Sequence, residues 1–232
     1  MKKASSIVLL VVSFIWIPLI IWGSFMYAPS AKGLGHTARI IFYHVPLAWI
    51  SVVAFFISAW YSWKVLQGIN QESQEISKFD TFAATAAELG LLFAFLATVT
   101  GSIWAKKIWG SYWNWDPRET SIFILLIIYG AYFALRTAIT NPQDKLRLSA
   151  VYSLIAVVTV PFFVFIVPRI FASLHPDPLI NEQGKIHMDG KMLLVFLNSL
   201  AAFTIMFFYI YKTKIKIKLL QLTISELEEE YE

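Results

Sequence analysis

Long apolar runs alternate with short polar segments along the whole chain. Six runs stand out, at residues 6–27, 39–66, 81–103, 117–139, 148–170 and 191–211. A helix needs about 20 residues to cross a hydrocarbon core of roughly 30 Å, and each run is long enough. Because lipid offers no partner for backbone N–H and C=O groups, each span must be helical. The pattern predicts an all-α integral membrane protein, a single membrane domain (1–232) built as a bundle of six transmembrane helices.

The first run has to be distinguished from a secretory signal peptide, because Lys2 and Lys3 precede it. The run continues for about 20 residues to Tyr27, which is longer than the apolar region of a signal peptide, and no clear small-residue cleavage site follows. We therefore predict a spanning helix. The composition agrees, because 58% hydrophobic residues and 15% charged residues in 232 are too apolar for an ordinary soluble domain.

Composition also excludes several functions. The chain has no cysteine, which removes disulfides, thiolate metal sites and thioether chemistry by the protein itself. Its net charge of +4 is spread between apolar runs and does not form a basic face, so nucleic acid is not a predicted partner. The absence of a phosphate-binding glycine loop indicates that the chain does not itself hydrolyse ATP.

Six spans put both termini on one side of the membrane, and the distribution of Lys and Arg predicts which side. The candidate cytoplasmic segments contain eleven of the nineteen basic residues and the opposite face contains eight, so the positive-inside rule predicts cytoplasmic termini. Residues 212–232 then form a cytoplasmic tail that extends the last helix, with lysines near anionic headgroups and solvated carboxylates. An anionic ligand would explain the eight basic residues kept outside, and scatter would explain them equally well.

Aromatic residues are concentrated in residues 104–120, WAKKIWGSYWNWDPRET, which we predict as a tryptophan-rich outer loop between two apolar runs. Such residues commonly anchor helices at the membrane interface, but the density here also suits stacking on a flat, apolar, negatively charged ligand. Trp109, Tyr112, Trp113 and Asp116 have the spacing of one helical face, so a helical segment would place three rings on one surface. Trp115 would point elsewhere, towards the bundle or the interface.

Asp116, Pro117 and Glu119 match the start of the fourth helix. A carboxylate at the N-cap, a proline at the first helical position and an acid at the third are a capping pattern. We therefore assign Asp116 mainly to the junction between the segment and the helix.

Four histidines and one intramembrane acid are the remaining candidates for chemistry. His44 lies early in the second run, where an ionisable group indicates function, or else a hydrogen bond to a neighbouring helix. His175 follows the fifth run, and Pro176 disfavours helix there; alone, it could equally be a loop histidine. His36 and His187 lie in polar loop sequence, with Met188 a remote alternative ligand. Glu88 is expected to be neutral or paired with Ser, Thr or Tyr of a neighbouring helix.

Residues 109–120, WGSYWNWDPRET, resemble the tryptophan-rich signature WGxxWxWDxRLT of the haem-handling proteins of cytochrome c maturation. Residues 101–104 and 39–46 (RIIFYHVP) are similar to that group as well. Size and the upstream block identify the chain as a member of the haem exporter protein C (CcmC) family, over about residues 39–175. Pro117 stands where the signature has a small residue, and Glu119 where it has leucine.

The resemblance implies a haem b site on the periplasmic side of a bacterial inner membrane, in a transporter or chaperone and not an enzyme. His44 and His175 match the two axial ligands of the family. The implied platform and propionate partners are Trp109, Tyr112, Trp113, Trp115, Arg118 and Arg39, with Lys106 and Lys107 facing either propionates or lipid phosphates. The implied partners are the haem chaperone CcmE, the small subunit CcmD and the ATP-binding cassette pair CcmA and CcmB.

Two other classes deserve comparison. A b-type haem electron-transfer or quinone oxidoreductase subunit usually buries paired histidines in the middle of the membrane, and no histidine is predicted at that depth here. The one-piece cytochrome c synthetases of the same superfamily pair extra histidines deeper in the membrane, which this sequence lacks.

Overall fold

The computed structural model describes residues 10, 14–31, 33–69, 74–176 and 188–231. These parts of the chain are helical, with short connections and an isolated bridge between Ala31 and Gly35 as the only strand-like pairing among them. The helices are α1 (Phe14–Tyr27), α2 (Ile41–Gly68), α3 (Gln74–Trp109), α4 (Pro117–Ala138), α5 (Pro142–Ile170) and α6 (Gly190–Tyr231).

Five of these helices, α2 to α6, are long and apolar enough to cross a membrane. The described part of the first apolar run forms only the shorter helix α1, and most of residues 6–13 lie outside the described residues. The expectation of an all-α membrane protein is thus confirmed over the described residues, with five candidate spans and one short apolar helix in place of six. Cytoplasmic termini remain a prediction, and Lys2 and Lys3 lie outside the described residues.

The observed helices start and end differently from the apolar runs. A 3₁₀ turn, His36–Ile40, leads into α2, and a π-helical turn, Phe162–Ile166, interrupts α5 just after Pro161. Pro161 and Pro168 lack the N–H that a regular ladder needs, so irregular helix in this stretch has a local cause. The helix α6 continues from the end of the apolar run at residue 211 to Tyr231, as expected for a tail that extends the last helix.

Small residues let α2 and α3 pack closely. Eight alanine and glycine residues along α3 are buried, namely Ala83, Ala84, Ala86, Ala87, Gly90, Ala94, Ala97 and Ala105. A side-chain carbon at Gly90 would lie 2.5 Å from Cε1 of Phe55, so the Phe55 ring fills the space that glycine leaves. Small residues allow backbones to approach where lipid supplies no hydrophobic drive for association. The α2–α3 pair therefore forms a rigid centre, against which α4, α5 and α6 pack.

Two ion pairs lie in the half of the bundle away from the aromatic segment. Arg136 of α4 donates two hydrogen bonds of 2.7 Å to the carboxylate of Asp80 in α3. Glu88 accepts from Lys218 at 2.8 Å and also from Lys214, both on α6. The expected Ser, Thr or Tyr partner of Glu88 was wrong, because α6 stays helical past Tyr211 and brings these lysines alongside α3. For the same reason two of the tail lysines pair with protein instead of lipid headgroups.

Candidate functional site

His44 is held against α3 near the start of α2. Its Nδ1 lies 3.0 Å from the carbonyl oxygen of Ala97 and 3.2 Å from Oγ1 of Thr100. A carbonyl only accepts, so the proton of the neutral imidazole is assigned to Nδ1, which leaves a lone pair on Nε2. The two sequence interpretations of His44 are thus compatible, because the bond to a neighbouring helix uses one ring nitrogen and leaves the other for a ligand.

Two other residues make this placement possible. A side-chain carbon at Gly101 would lie 2.9 Å from Cε1 of His44, so only glycine at this position of α3 lets the ring lie where it does. Pro46 cannot donate to the carbonyl of Phe42 four residues earlier. Ser199 of α6 donates its hydroxyl to that carbonyl instead, so the turn of α2 that carries His44 is also fixed to α6.

His175 lies in the non-helical segment that follows α5, and a carboxylate holds its ring. Its Nδ1 is 2.9 Å from Oδ1 of Asp116. Ser173 donates its hydroxyl to Oδ2 of Asp116 at 2.8 Å, and the backbone N–H of Leu174 donates to the same oxygen at 2.6 Å. The carboxylate assigns the imidazole proton to Nδ1, as the carbonyl does at His44, so Nε2 of His175 also carries its lone pair.

Asp116 also begins α4, as the capping pattern predicted. Its Oδ1 accepts from the backbone N–H of Arg118 at 2.9 Å, and Glu119 accepts from the backbone N–H of Asp116 at 3.3 Å, which completes a capping box. Pro117 occupies the first helical position. The capping role of Asp116 is confirmed, but its contact with His175, 59 residues away, had no signal in the sequence.

The surroundings favour an ionised Asp116 beside a neutral His175. Burial alone would raise the pKa of Asp116, but hydrogen bonds from Arg118, Leu174 and Ser173 outweigh it and hold that pKa below its usual value. Burial lowers the pKa of His175, and the attraction of Asp116 reverses this only in part. At neutral pH His175 therefore offers an uncharged nitrogen, which is the form that binds metal.

Two tryptophans from the end of α3 surround His175. The ring of Trp109 lies 4.8 Å from the imidazole at 72°, and that of Trp104 lies 6.1 Å away, while the two indoles pack edge to face at 5.0 Å. Trp104 was not among the predicted site residues. The sequence feature that could have indicated Trp104 is its position three residues after Gly101. This spacing places both residues on the face of α3 that His44 contacts.

The tryptophan-rich segment is a loop only from residue 110, and the conditional helical face of Trp109, Tyr112, Trp113 and Asp116 does not form. The helix α3 ends at Trp109, Gly110 has a φ of 83°, and residues 110–116 are irregular. Glycine adopts this left-handed conformation without a steric cost and so ends the helix. Glu119 then holds the segment through the backbone N–H of Asn114 at 2.7 Å. The aromatic rings consequently do not share one helical face.

The rings of this segment form a second group. Trp113 packs edge to face on Trp115 at 5.8 Å and on Phe123 of α4 at 5.9 Å. Trp115 is 70% exposed and has a φ of 56°, the one positive φ of a non-glycine residue in the described chain. Tyr112 is exposed beneath the ammonium group of Lys106. This outer group is separate from the pair of tryptophans at His175.

The basic candidates differ in their partners. Arg39 donates to the carbonyl of Phe25 at 3.0 Å and lies over its ring, so it joins the 3₁₀ turn to α1. Lys106 donates to the carbonyl of Gly110 at 2.8 Å, just past the end of α3. Lys107 is exposed. The positive charge of Arg118 contributes to lowering the pKa of the His175 imidazole.

The remaining candidates lie apart from the site. His36 is exposed at the first residue of the 3₁₀ turn. Met188 packs in the apolar cluster of Ala38, Phe42 and Met192. His187 lies outside the described residues.

One face of α3 brings the two imidazoles together. Ala97 and Gly101 contact His44, and Trp104, one turn further, contacts His175. A turn of helix rises about 5.4 Å, so the contacts of the two imidazoles with α3 lie about one turn apart. In the described residues no group of three or more His, Asp or Glu could hold a metal ion. Two imidazoles are too few to complete the coordination of a metal ion, so they suit a metal that is already bound to other ligands.

Fold and site together define a multi-helix membrane protein. Its two candidate histidines lie where helix α3 meets the aromatic segment. The family model for heme exporter protein C matches residues 1–229. The chain belongs to the heme exporter protein C family.

Three relatives illustrate the similarity. The heme exporter protein C of Bradyrhizobium diazoefficiens is 31% identical over 201 residues, which cover 87% of this chain and 74% of the relative. The Escherichia coli K12 protein of the same name is 33% identical over 68% of this chain and 59% of its own length. A putative cytochrome c biosynthesis ccmC-like mitochondrial protein of Marchantia polymorpha is 30% identical over 81% of this chain and 78% of the relative.

Proposed function

We propose that this chain handles haem during cytochrome c maturation, binding haem b between His44 and His175 and delivering it to the chaperone CcmE. The observation that carries the proposal is shared by the two histidines. In each, the Nδ1–H donates a hydrogen bond to a protein oxygen, with an Nδ1-to-oxygen distance of 3.0 Å for His44 and 2.9 Å for His175, so both Nε2 lone pairs are directed away from that bond and can bind iron.

The donor set fits haem. A porphyrin supplies four nitrogens to its iron and leaves two axial positions, and neutral imidazole is a common axial ligand. A carboxylate or carbonyl that accepts from the other ring nitrogen fixes the tautomer and raises the basicity of the ligand. Asp116 does this for His175, and the carbonyl of Ala97 does it for His44.

The aromatic residues divide into two roles in this proposal. Trp104 and Trp109 line the site around His175 and supply apolar area for the macrocycle. Tyr112, Trp113 and Trp115 lie further out and form the surface that meets the chaperone. Arg118, Arg39, Lys106 and Lys107 are the candidate partners of the propionates. Arg39 and Lys106 each donate to a backbone carbonyl, a bond that they would exchange for a propionate.

The proposal includes an orientation. The aromatic segment and His175 face the periplasm, the termini face the cytoplasm, and CcmD, CcmA and CcmB share the bacterial inner membrane with this chain. The chain itself acts as a haem transporter or chaperone and not as an enzyme. A reporter fused after Glu232 should be active only in the cytoplasm, and activity only in the periplasm would overturn this orientation.

The decisive experiment compares the purified protein with and without the chaperone. Protein from haem-replete cells should show a six-coordinate, low-spin spectrum, and added apo-chaperone should remove the haem and gain it in equal amount. Absence of the spectrum would contradict a haem site. Haem that stays with the protein despite the chaperone would indicate a resident electron-transfer cofactor instead.

A further inference from the structure

The last third of α6 extends beyond the bundle. Twenty-one residues separate Lys191 from Lys212, a helical rise of about 32 Å that matches the hydrocarbon core. The helix then continues to Tyr231, which is about 29 Å further. From residue 219 onward, the described side chains of α6 form hydrogen bonds only within their own helix. This segment is therefore a free-standing helical arm.

Four apolar side chains, one just before this arm and three on it, lie in one exposed stripe. Ile217, Leu220, Ile224 and Leu227 are 46–59% exposed, and their spacing of three, four and three residues is that of the a and d positions of a heptad repeat. At about 100° per residue they fall within a sector of about 80°. We call these four residues the arm stripe.

The arm stripe faces away from the bundle. Lys214 and Lys218 reach Glu88 from this part of α6, and Ile215 packs against the apolar core. On a helical projection these three residues centre about 150° from the arm stripe. The described bundle thus covers one side of α6, and the opposite side carries an apolar seam that nothing in the described chain covers.

We propose that the arm stripe pairs with the same stripe of a second copy of this chain, as a parallel two-stranded coiled coil. Isoleucine stands at both a positions and leucine at both d positions, the combination that favours parallel dimers. Two copies inserted in one membrane have the same orientation, so their arms leave the same face and must run parallel. Sequence preference and membrane geometry therefore specify the same arrangement.

The flanking positions allow this pairing. In a parallel dimer Lys216 and Thr223 occupy g positions and face Gln221 and Glu228 at the e positions of the other copy. Neither pairing brings like charges together. Two heptads are short for an isolated coiled coil, but the membrane domains hold both arms at one level and raise their effective concentration.

The absence of cysteine from the chain permits a clean test in the full-length protein. Leu220→Cys places a thiol at a d position, where the two copies come closest. Leu222→Cys places a thiol of comparable exposure on the far side of the arm. In isolated membranes treated with a mild oxidant, Leu220→Cys should form a disulfide-linked product of twice the chain mass at least tenfold more than Leu222→Cys does. Adding Ile224→Asp to Leu220→Cys should abolish that product.

Three results would overturn the proposal. Equal cross-linking of the two cysteine variants would indicate random collision. A product of another mass would indicate a helix from a different protein. Failure of Leu220→Cys to cross-link, with the variant present in the membrane at normal level, would indicate that the arm stripe does not meet a second copy. None of these readouts depends on haem.

Discussion

Asp116 caps α4 and at the same time accepts a hydrogen bond of 2.9 Å from Nδ1–H of His175. One carboxylate thus fixes the position of a candidate ligand relative to the first turn of a helix. The two roles can be separated, because asparagine caps helices as well as aspartate does but carries no charge.

Asp116→Asn should weaken haem binding and leave the fold stable. The hydrogen bond to His175 loses its charge assistance, and changes at such supporting residues typically cost about 10–100-fold in metal affinity. The measurement is haem titration of the purified variant beside its thermal unfolding. Asn141→Asp, the reverse exchange at the N-cap of α5, is the matched control and should not change the affinity. An unchanged affinity in Asp116→Asn would contradict the supporting role.

Acidification should remove the ligand only below the pH at which an ordinary histidine titrates, about 6.5. Burial lowers the pKa of His175, Asp116 raises it in part, and the net shift is downward, so the folded protein keeps a neutral imidazole where an unfolded one is already protonated. In a pH titration the six-coordinate spectrum should therefore stay intact through that range and fall only at lower pH. In Asp116→Asn the spectrum should persist to a still lower pH, because the carboxylate charge that raises the pKa of His175 is gone.

The same shifts determine the sign of the effect on stability. The unfolded chain takes up the His175 proton first, so the free energy of unfolding of the haem-free protein falls as the pH drops through about 6.5. The folded pKa of Asp116 lies below 3.8, so the stability from its hydrogen bonds is present above that pH and is lost as the pH falls through its folded pKa. Thermal unfolding at several pH values measures both.

His44→Ala and His175→Ala should each leave iron with one axial ligand. The expected spectrum is five-coordinate, with reduced haem content. His36→Ala is the control, because His36 is exposed away from the site, and it should retain the wild-type spectrum. His187→Ala should do so as well. Loss of the spectrum in His187→Ala alone would show that the ligands are wrongly chosen.

Much of this arrangement could be predicted because it depends on neighbours in sequence. Hydropathy located the five long helices, and the pattern of Asp116, Pro117 and Glu119 located the start of α4. The contacts between Asp116 and His175 and between Glu88 and Lys218 join residues 59 and 130 positions apart, where local patterns carry no information. The segment 104–120 was predicted as an outer loop, but the sequence did not show that α3 would continue through Trp109 and that the loop would begin at the left-handed Gly110.

Gly101→Ala should displace His44. The added carbon would lie 2.9 Å from Cε1 of the ring, and such overpacking typically costs about 1–3 kcal/mol. We expect haem loading to fall while the helices remain, measured by haem content and circular dichroism. Gly130→Ala is the matched control, since nothing lies within 4 Å of that position in α4. Equal loading in the two variants would show that the placement of His44 is unimportant.

Trp109→Ala and Trp115→Ala should differ in the step that they impair. Trp109 contacts His175, so its loss should lower haem content; one aromatic contact is worth about 0.5–1.5 kcal/mol beyond buried area. Trp115 is exposed and packs on Trp113, so its loss should leave haem content normal and lower transfer to the chaperone. The two quantities are measured in the same cells. Normal transfer by Trp115→Ala would make the outer group an interfacial anchor.

The backbone of Trp115 has a consequence for how the aromatic segment can move. A left-handed φ of 56° costs a residue with a side chain about 1–2 kcal/mol, which any rearrangement to ordinary φ would release. The hydrogen bonds from the backbone of Asn114 and Asp116 to Glu119 oppose that release. The segment is therefore held in a conformation that the backbone of Trp115 disfavours, and a single carboxylate, that of Glu119, supplies two of the hydrogen bonds that keep it there.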